Sequence, residues 1–527
     1  MGRLTEGSLA RAFAATAAAA GERPALSIGE RTVSHAVLDD RAARLGGWLA
    51  GHSVRAGDRV LIASATSHEL VAAYLGTLRC GATALSVDAG ATAVELRGLI
   101  ADAAPVAALC DAPAGRRLAS LGADERPATA VALDPEAPGI AVAAALEEGE
   151  PIAPAGDAAP AILAYTSGTT GRPKGVPLSH ANVLASIRAV MLAWAWDRDE
   201  VLLHALPLSH QHGLGGLHAT LLAGSHAVIE PSFEPESFCR RAGEVGATMI
   251  MAVPAIWERL DAWSEISRAG LDALRVAISG SAPLPRALAL RVSKWLGQLP
   301  LERYGSTEAG LVLSNPLHGE RKPGGVGYPL PGIEVSVRDR DGRELGPGAD
   351  GELVVRGPQV FAGYLNRPEE TAAAFTEDGW FRSGDIARLD PEHGSFAITG
   401  RLKEMIITGG LNVFPREVES ALDEHDAVGG SAVVGVPSEK WGEEVVAFIV
   451  PRAGELSSAE ALIAHCRERL SGFKCPKRVL VVEELPTNEM GKVRRERLVE
   501  LAGGGAASRG SGATSTETET EKETEKE

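Results

Sequence analysis

The stretch from Ala161 to Val176, AILAYTSGTTGRPKGV, carries the densest local signal in the chain. An apolar run that reads as a short buried strand leads into an unbroken run of Ser, Thr and Gly from Thr166 to Gly171, closed by Arg172 and Lys174. Residues without bulky side chains let backbone N–H groups converge on phosphate oxygens, hydroxyls add donors, and a lysine supplies a compact positive charge. The chemistry is that of a phosphate cradle. It is not the P-loop of nucleotide hydrolases, because GxxxxGK[ST] is absent. A flexible Gly/Ser linker would lack both the preceding apolar strand and the closing basic pair.

Outward from this loop, helix-like runs such as HELVAAYLGTLRC alternate with short apolar strands such as DRVLIAS, ATMIMAVP and LRVAISG. Such alternation predicts α/β layers with strands buried on both faces. At 527 residues the chain exceeds one hydrophobic core. The pattern is punctuated at ITGRLKEMIITGG, which sets a hinge at Arg401 to Lys403. The expected organisation is a large N-terminal domain of layered α/β subdomains over residues 1–400, then a small α+β domain over 401–502. Residues 503–527, rich in Gly, Thr and Glu, form a tail expected to be disordered, since they hold too little apolar surface to offset ordering entropy.

Composition narrows the function. With 52 Lys+Arg against 69 Asp+Glu the formal charge is −17, which repels nucleic acid, so any phosphate must be held locally. No apolar run is long enough to span a bilayer, and Glu6 and Arg11 interrupt the Ala-rich start, which leads to the expectation of a cytoplasmic protein. The five cysteines are scattered without metal-ligand spacing, so neither disulfides nor structural zinc are expected.

YTSGTTGRPKGV resembles the phosphate loop of the adenylate-forming superfamily, which includes acyl-CoA synthetases, peptide-synthetase adenylation domains and luciferases. Further stretches follow in the family's order: LPLSHQHG from Leu206, ISGSAPLP from Ile278, ERYGSTEAG from Glu302, SGD from Ser383 with GRLKEMIITGGLNVFPREVE from Gly400, and PTNEMGKVRR. The resemblance covers nearly the whole chain up to about residue 500. It implies an acyl-CoA ligase: an acid attacks the α-phosphorus of ATP, pyrophosphate leaves, and a thiol takes the acyl group from the adenylate. ATP, Mg²⁺ and CoA are the implied cofactors, and a homodimer is left open.

The resemblance assigns roles residue by residue. Thr166, Ser167, Gly168, Thr169, Thr170 and Lys174 would hold the β- and γ-phosphates, and Gly280, Ser281, Ala282, Pro283 and Gly305 would belong to the nucleotide site. Thr307 and Glu308 would bind the α-phosphate and the Mg²⁺, a hard cation suited to oxygen ligands. Tyr304 would lie against adenine, while Asp385 would accept both ribose hydroxyls and Arg401 would reach the same nucleotide. His210 would line the acid site near the carboxylate; His204 and His212 lack that motif support. Lys492 would bridge acid and nucleotide in adenylation and leave when the mobile small domain rotates about a hinge at Lys403. Gly409 and Gly410 would then line the pantetheine tunnel. Taken alone, Glu308 reads as an acid at a helix start and Lys492 as a solvated turn lysine.

The frame looks closest to malonyl-CoA synthetases and related ligases. At the acid pocket Ser209 stands where many relatives carry an aromatic, Ser306 where methionine is common, and Gly213, Gly215 and Gly216 open the helix that follows. Together these predict an enlarged cavity for a bulky, mostly apolar acid, unless the glycines serve helix-to-strand packing. A malonyl- or methylmalonyl-CoA synthetase is the alternative, and its second carboxylate would need a buried cation, for which Arg275 is a candidate. Loading of a carrier protein, thioesterification of a preformed adenylate alone, and a non-catalytic adenylate-binding protein are the other readings.

Overall fold

The computed structural model describes residues 7–134, 136–166, 173–263, 265–266, 270–438, 440–452, 458–487 and 492–503. Ser167, Gly168, Thr169 and Thr170 of the phosphate loop, and the tail beyond Gly503, lie outside the described residues. Contacts divide the chain into two compact units: one within Met1–Met405 that also includes Lys492, the other within Ile406–Asn488 and Val493–Glu527. This division falls a few residues beyond the sequence-based boundary.

The first unit is built on three sheets. A seven-stranded sheet runs in the spatial order Ile140–Ala141, Thr129–Ala132, Ala107–Cys110, Arg59–Ala63, Thr83–Val87, Pro160–Thr166 and Lys174–Ser179. All its pairings are parallel except the last. A nine-stranded sheet has a parallel centre in which Leu301–Ser306, Val276–Ser279, Met249–Ala252, Val201–His204 and His226–Ile229 are successive neighbours. MIMA and VAIS are buried throughout, as strands covered on both faces must be. Because these strands run the same way, the loops after His204, Ser279 and Ser306 all leave from one edge, where ligands of open α/β sheets bind. A four-stranded antiparallel sheet, Glu334–Arg338 to Phe396–Arg401, completes the unit.

The predicted helix in HELVAAYLGTLRC forms as His68–Arg79, started by Ser67, whose hydroxyl accepts from Leu70 N–H. The second unit is a five-stranded sheet with helices Pro415–Asp423, Ala459–Arg467 and Arg495–Gly503. Its core gathers Ile406, Val413, Val418, Leu422, Val433 and Ile449, among others. The chain is thus mixed α/β, with a large N-terminal unit and a small α+β one.

Candidate active site

The phosphate loop is the connection of a hairpin. Strands Pro160–Thr166 and Lys174–Ser179 pair antiparallel, with Thr166 opposite Lys174, so the loop's two ends are held side by side at the carboxyl end of a parallel strand. The Lys174 ammonium lies 4.9 Å from the centre of the Tyr364 ring. Tyr364 Oη donates to Glu308 Oε1 at 3.2 Å, and Phe361 N–H donates to the Glu308 carbonyl at 2.8 Å. Lys174 and Glu308, 134 positions apart in the chain, are therefore joined through one phenol, Tyr364, which the motif reading passed over.

Glu308 does not start a helix. Thr307, Glu308 and Ala309 form the turn between strands Leu301–Ser306 and Gly310–Ser314, fastened by Ala309 N–H donating to Ser306 Oγ at 3.1 Å. The Ser306 hydroxyl is thus engaged by backbone. Only one of the two Glu308 carboxylate oxygens accepts from Tyr364, so the other would be open to a hard cation. Among the described residues no group of three or more His, Cys, Asp and Glu is arranged to hold a metal, so a Mg²⁺ here would draw its other ligands from phosphate and water.

Strand pairing sets Asp385 directly opposite Arg401 in the four-stranded sheet. Arg401 Nε donates to Asp385 Oδ1 at 2.9 Å, and Tyr304 Oη donates to Oδ2 at 2.6 Å. A carboxylate offers about four lone-pair sites, so about two remain for further donors. Burial, and then the charge of Asp385, push the Tyr304 phenol well up, which keeps it a donor. Lys492 is exposed as a whole residue, yet its amine is brought down to about 8 by desolvation first and the charge of Arg401 second.

The HQHG segment leads into the helix Gln211–Ala223. His210 is its half-buried N-cap residue; burial lowers its pKa, and the charge of Asp88 opposes that shift. His212 is buried, and its Nδ1 lies 3.0 Å from Ser281 Oγ in the ISGSAPLP loop. Ser281 adopts φ 69°, a left-handed conformation that costs a non-glycine residue about 1 kcal/mol. The preceding Gly280 allows the Arg303 side chain to lie against its backbone, since a Cβ there would fall 2.4 Å from Arg303 Nε. Arg303 is half-buried, with Nε enclosed and without a partner, and no hydrogen bond or ion pair to its guanidinium is found among the described residues. Burial lowers it to about 10, so it stays cationic at neutral pH.

Two expectations about the acid pocket need correcting. Gly213 and Gly216 are packing glycines: a Cβ at Gly213 would lie 2.5 Å from the Pro207 carbonyl, and one at Gly216 would lie 2.8 Å from Leu202 Cδ2 and 3.1 Å from Met251 Sδ. A side chain at either would enter the protein, not a cleft. Gly215 is half-buried, with nothing nearer than Ile187 Cδ1 at 3.7 Å, and Ser209 is also half-buried. Arg275 is no candidate for an acid's second carboxylate. It precedes its strand, at the edge opposite the loops, and is committed to Glu200 at 2.6 Å and to the Trp194 carbonyl at 2.9 Å.

In the second unit Gly409 and Gly410, at φ 57° and 79°, are the two central residues of the hairpin joining Ile406–Thr408 to Leu411–Val413. Two successive positive φ values are what a tight hairpin turn of type I′ requires. Gly409 N–H donates to the Trp441 carbonyl at 2.8 Å, and the exposed Trp441 ring has the ammoniums of Lys440 and Lys477 at 5.3 and 5.5 Å. A tryptophan between two lysines beside bare backbone suits a phosphate-bearing ring system.

The first unit is thus an α/β nucleotide-binding fold whose charged groups gather at the carboxyl edges of its parallel strands. Residues 13–365 match the family model of the AMP-binding enzymes and residues 417–492 that of the AMP-binding enzyme C-terminal domain. The chain belongs to the AMP-binding enzyme family. It is 38% identical to the mitochondrial malonate–CoA ligase of Homo sapiens over 376 residues, 64% of this chain and 65% of that protein, so it spans just under two thirds of that relative's length. It is 36% identical to a feruloyl-CoA synthase of Amycolatopsis sp over 475 residues, 88% of this chain and 93% of that one. Among solved structures, ATP-bound MatB from Rhodopseudomonas palustris superposes with a TM-score of 0.88 at 36% identity, covering 93% of this chain and 98% of that one. No described helix is long and apolar enough to cross a membrane.

Proposed function

We propose that the protein is an AMP-forming acid–thiol ligase that converts a carboxylic acid and ATP to an acyl-adenylate and pyrophosphate, then passes the acyl group to CoA, and that its acid bears a second carboxylate. Family membership supports the reaction class. The observation that carries the substrate class is Arg303: a cationic guanidinium at the carboxyl edge of the sheet, with its Nε enclosed and no acceptor among the described residues. A cationic nitrogen enclosed without an acceptor is costly, and a dicarboxylate such as malonate supplies one. The case for a bulky apolar acid weakens accordingly, since of the five positions it drew on only Ser209, Gly215 and Ser306 remain. The relatives named malonate–CoA ligase favour the same reading.

In this reading Thr166 and Lys174 serve the outer phosphates, Glu308 the Mg²⁺, Asp385 with Arg401 the ribose, and Lys492 the reacting carboxylate. Lys403 is the pivot between half-reactions. Gly409, Gly410 and Trp441 receive CoA, and the enzyme acts in the cytoplasm. The test is acid-dependent pyrophosphate release and CoA-thioester formation over a panel running from malonate and methylmalonate through acetate to polycyclic monocarboxylates. Dicarboxylates should have the highest kcat/KM in the native protein and lose it in Arg303→Met. A native preference for bulky monocarboxylates would overturn the substrate class, and absence of any acid-dependent pyrophosphate release would overturn the reaction.

A further inference from the structure

Asp102 lies in the last turn of the helix Ala93–Ala103, outside the stretches that carry the nucleotide chemistry. An acid there faces the negative end of the helix dipole, so the helix alone disfavours its charge. Two donors from distant parts of the chain offset this. Tyr165 Oη donates to Asp102 Oδ2 at 2.7 Å from 63 positions away, and Arg367 Nη2 donates to Oδ1 at 2.9 Å from 265 positions away. The direction of both bonds is fixed, because a carboxylate accepts and a guanidinium only donates. Burial first, then the hydrogen bond to Asp102, push the Tyr165 phenol well above its ordinary pKa, which keeps it a donor. The Asp102 side chain is 18% exposed and that of Arg367 30%, so the ion pair is partly shielded from water.

Both partners lead to the phosphate loop, from opposite ends. Tyr165 directly precedes Thr166, the last residue of the first stem. Arg367 closes the segment Tyr364–Arg367, which grips the second stem: Leu365 N–H donates to the Gly175 carbonyl at 2.8 Å, and the Tyr364 ring carries the Lys174 ammonium while its hydroxyl donates to Glu308. Tyr165 and Gly175 are themselves paired across the two stems. Glycine permits this convergence, since a Cβ on Gly175 would meet Leu365 Cβ at 3.1 Å and Tyr165 Cζ at 3.3 Å. Asn366, at φ 53°, turns the chain between Leu365, which faces Gly175, and Arg367, which reaches Asp102. A left-handed conformation is one that asparagine tolerates better than most residues. Tyr165, Asp102, Arg367, Leu365 and Gly175 thus form a closed ring of contacts around the base of the loop.

We infer that Asp102 is a positioning residue for adenylation: it ties the first stem of the phosphate loop to the segment Tyr364–Arg367, and so sets the spacing of Thr166, Lys174 and Glu308 for the outer phosphates and cation of Mg·ATP. The inference rests on the ligase reading above but not on the identity of the acid.

The test uses the full-length native protein, D102N, Y165F, R367M and D102N/R367M, each with the acid the native protein prefers. Two rates are read: pyrophosphate release as a function of ATP, and thioester formation from CoA and the preformed adenylate of the same acid, a step in which no outer phosphate is present. D102N and R367M should lower kcat/KM for ATP on the order of ten- to a hundredfold, as expected when reacting groups shift by up to about 1 Å, and change thioester formation less than about twofold. D102N/R367M should lose no more than the worse single variant, because both changes break one pair. Y165F removes one hydroxyl and leaves the ring against Gly175 and Leu365, so it tests the clamp even if D102N fails to fold; it should lower kcat/KM for ATP about threefold or more. Losses that multiply in the double variant, equal losses in the two assays, or an unchanged ATP dependence in D102N or Y165F would overturn the inference. A native protein that releases no pyrophosphate with any acid overturns the ligase reading instead. The clamp is then decided by scanning calorimetry with Mg·ATP: D102N should lose most of the native thermal shift, and keeping it in full would overturn the clamp. A native protein without any such shift overturns both.

Discussion

Replacing Asp385 separates the structural from the nucleotide-binding work of one buried carboxylate. Asp385 is 4% exposed and accepts from Tyr304 and Arg401 at 2.6 and 2.9 Å. In Asp385→Ala the Tyr304 hydroxyl loses its acceptor, at about 1–3 kcal/mol. The Arg401 side chain is 38% exposed, so loss of its partner adds only about 0–1 kcal/mol. A total of about 1–4 kcal/mol, against an unfolding entropy of about 2.1 cal/mol/K per residue over roughly 400 residues, lowers Tm by about 1–5 °C. Asp385→Asn keeps the size; its amide oxygen can accept from Arg401 while its N–H donates to the Tyr304 oxygen, so the loss stays under about 1 kcal/mol.

Both variants remove the charged acceptor proposed for ribose. Two hydrogen bonds to a charged group at about 1.5–3 kcal/mol each amount to at least a hundredfold in ATP affinity. At an ATP concentration of about 100 times the native Kd, stabilisation of ~2.7 kcal/mol falls to below ~0.5 kcal/mol. Scanning calorimetry with and without Mg·ATP reads both effects. Retention of the full ATP-induced shift by Asp385→Asn would refute the ribose role, and an Asp385→Ala protein no less stable than Asp385→Asn would refute the structural one.

With Lys492 titrating at about 8, its ammonium is present below that pH and lost above it, so pyrophosphate release should decline as pH rises through about 8, Lys492→Arg should remove the decline, and CoA-thioester formation from preformed adenylate should show neither effect. Gly216→Ala should cost about 1–3 kcal/mol by urea unfolding, because its Cβ meets Leu202 and Met251, whereas Gly215→Ala should change stability by less than about 0.5 kcal/mol. Trp441→Ala should raise the KM for CoA about tenfold in the thioester assay and leave pyrophosphate release alone. An unchanged KM would remove Trp441 from the CoA site.

The sequence by itself determined the layered fold and the family, for a physical reason that is local. Short apolar strands ending in Gly, Ser or Pro and alternating with amphipathic helices have few ways to bury both faces, and AILAYTSGTTGRPKGV sets a run of Ser, Thr and Gly with a closing basic pair after such a strand. Side-chain direction and partnership were decided by tertiary structure. Gly213, Gly215 and Gly216 are alike in the sequence, yet one meets a carbonyl, one meets little and one meets the core, because successive helix positions point about 100° apart. Arg275 stands just before its strand, at the edge where Glu200 waits, whereas Arg303 lies within Leu301–Ser306 but beyond the end of its parallel neighbour, against Gly280, with no acceptor among the described residues. Only the register of the strands, which ends Val276–Ser279 one position short of Arg303, turns an ordinary arginine into a candidate anion site.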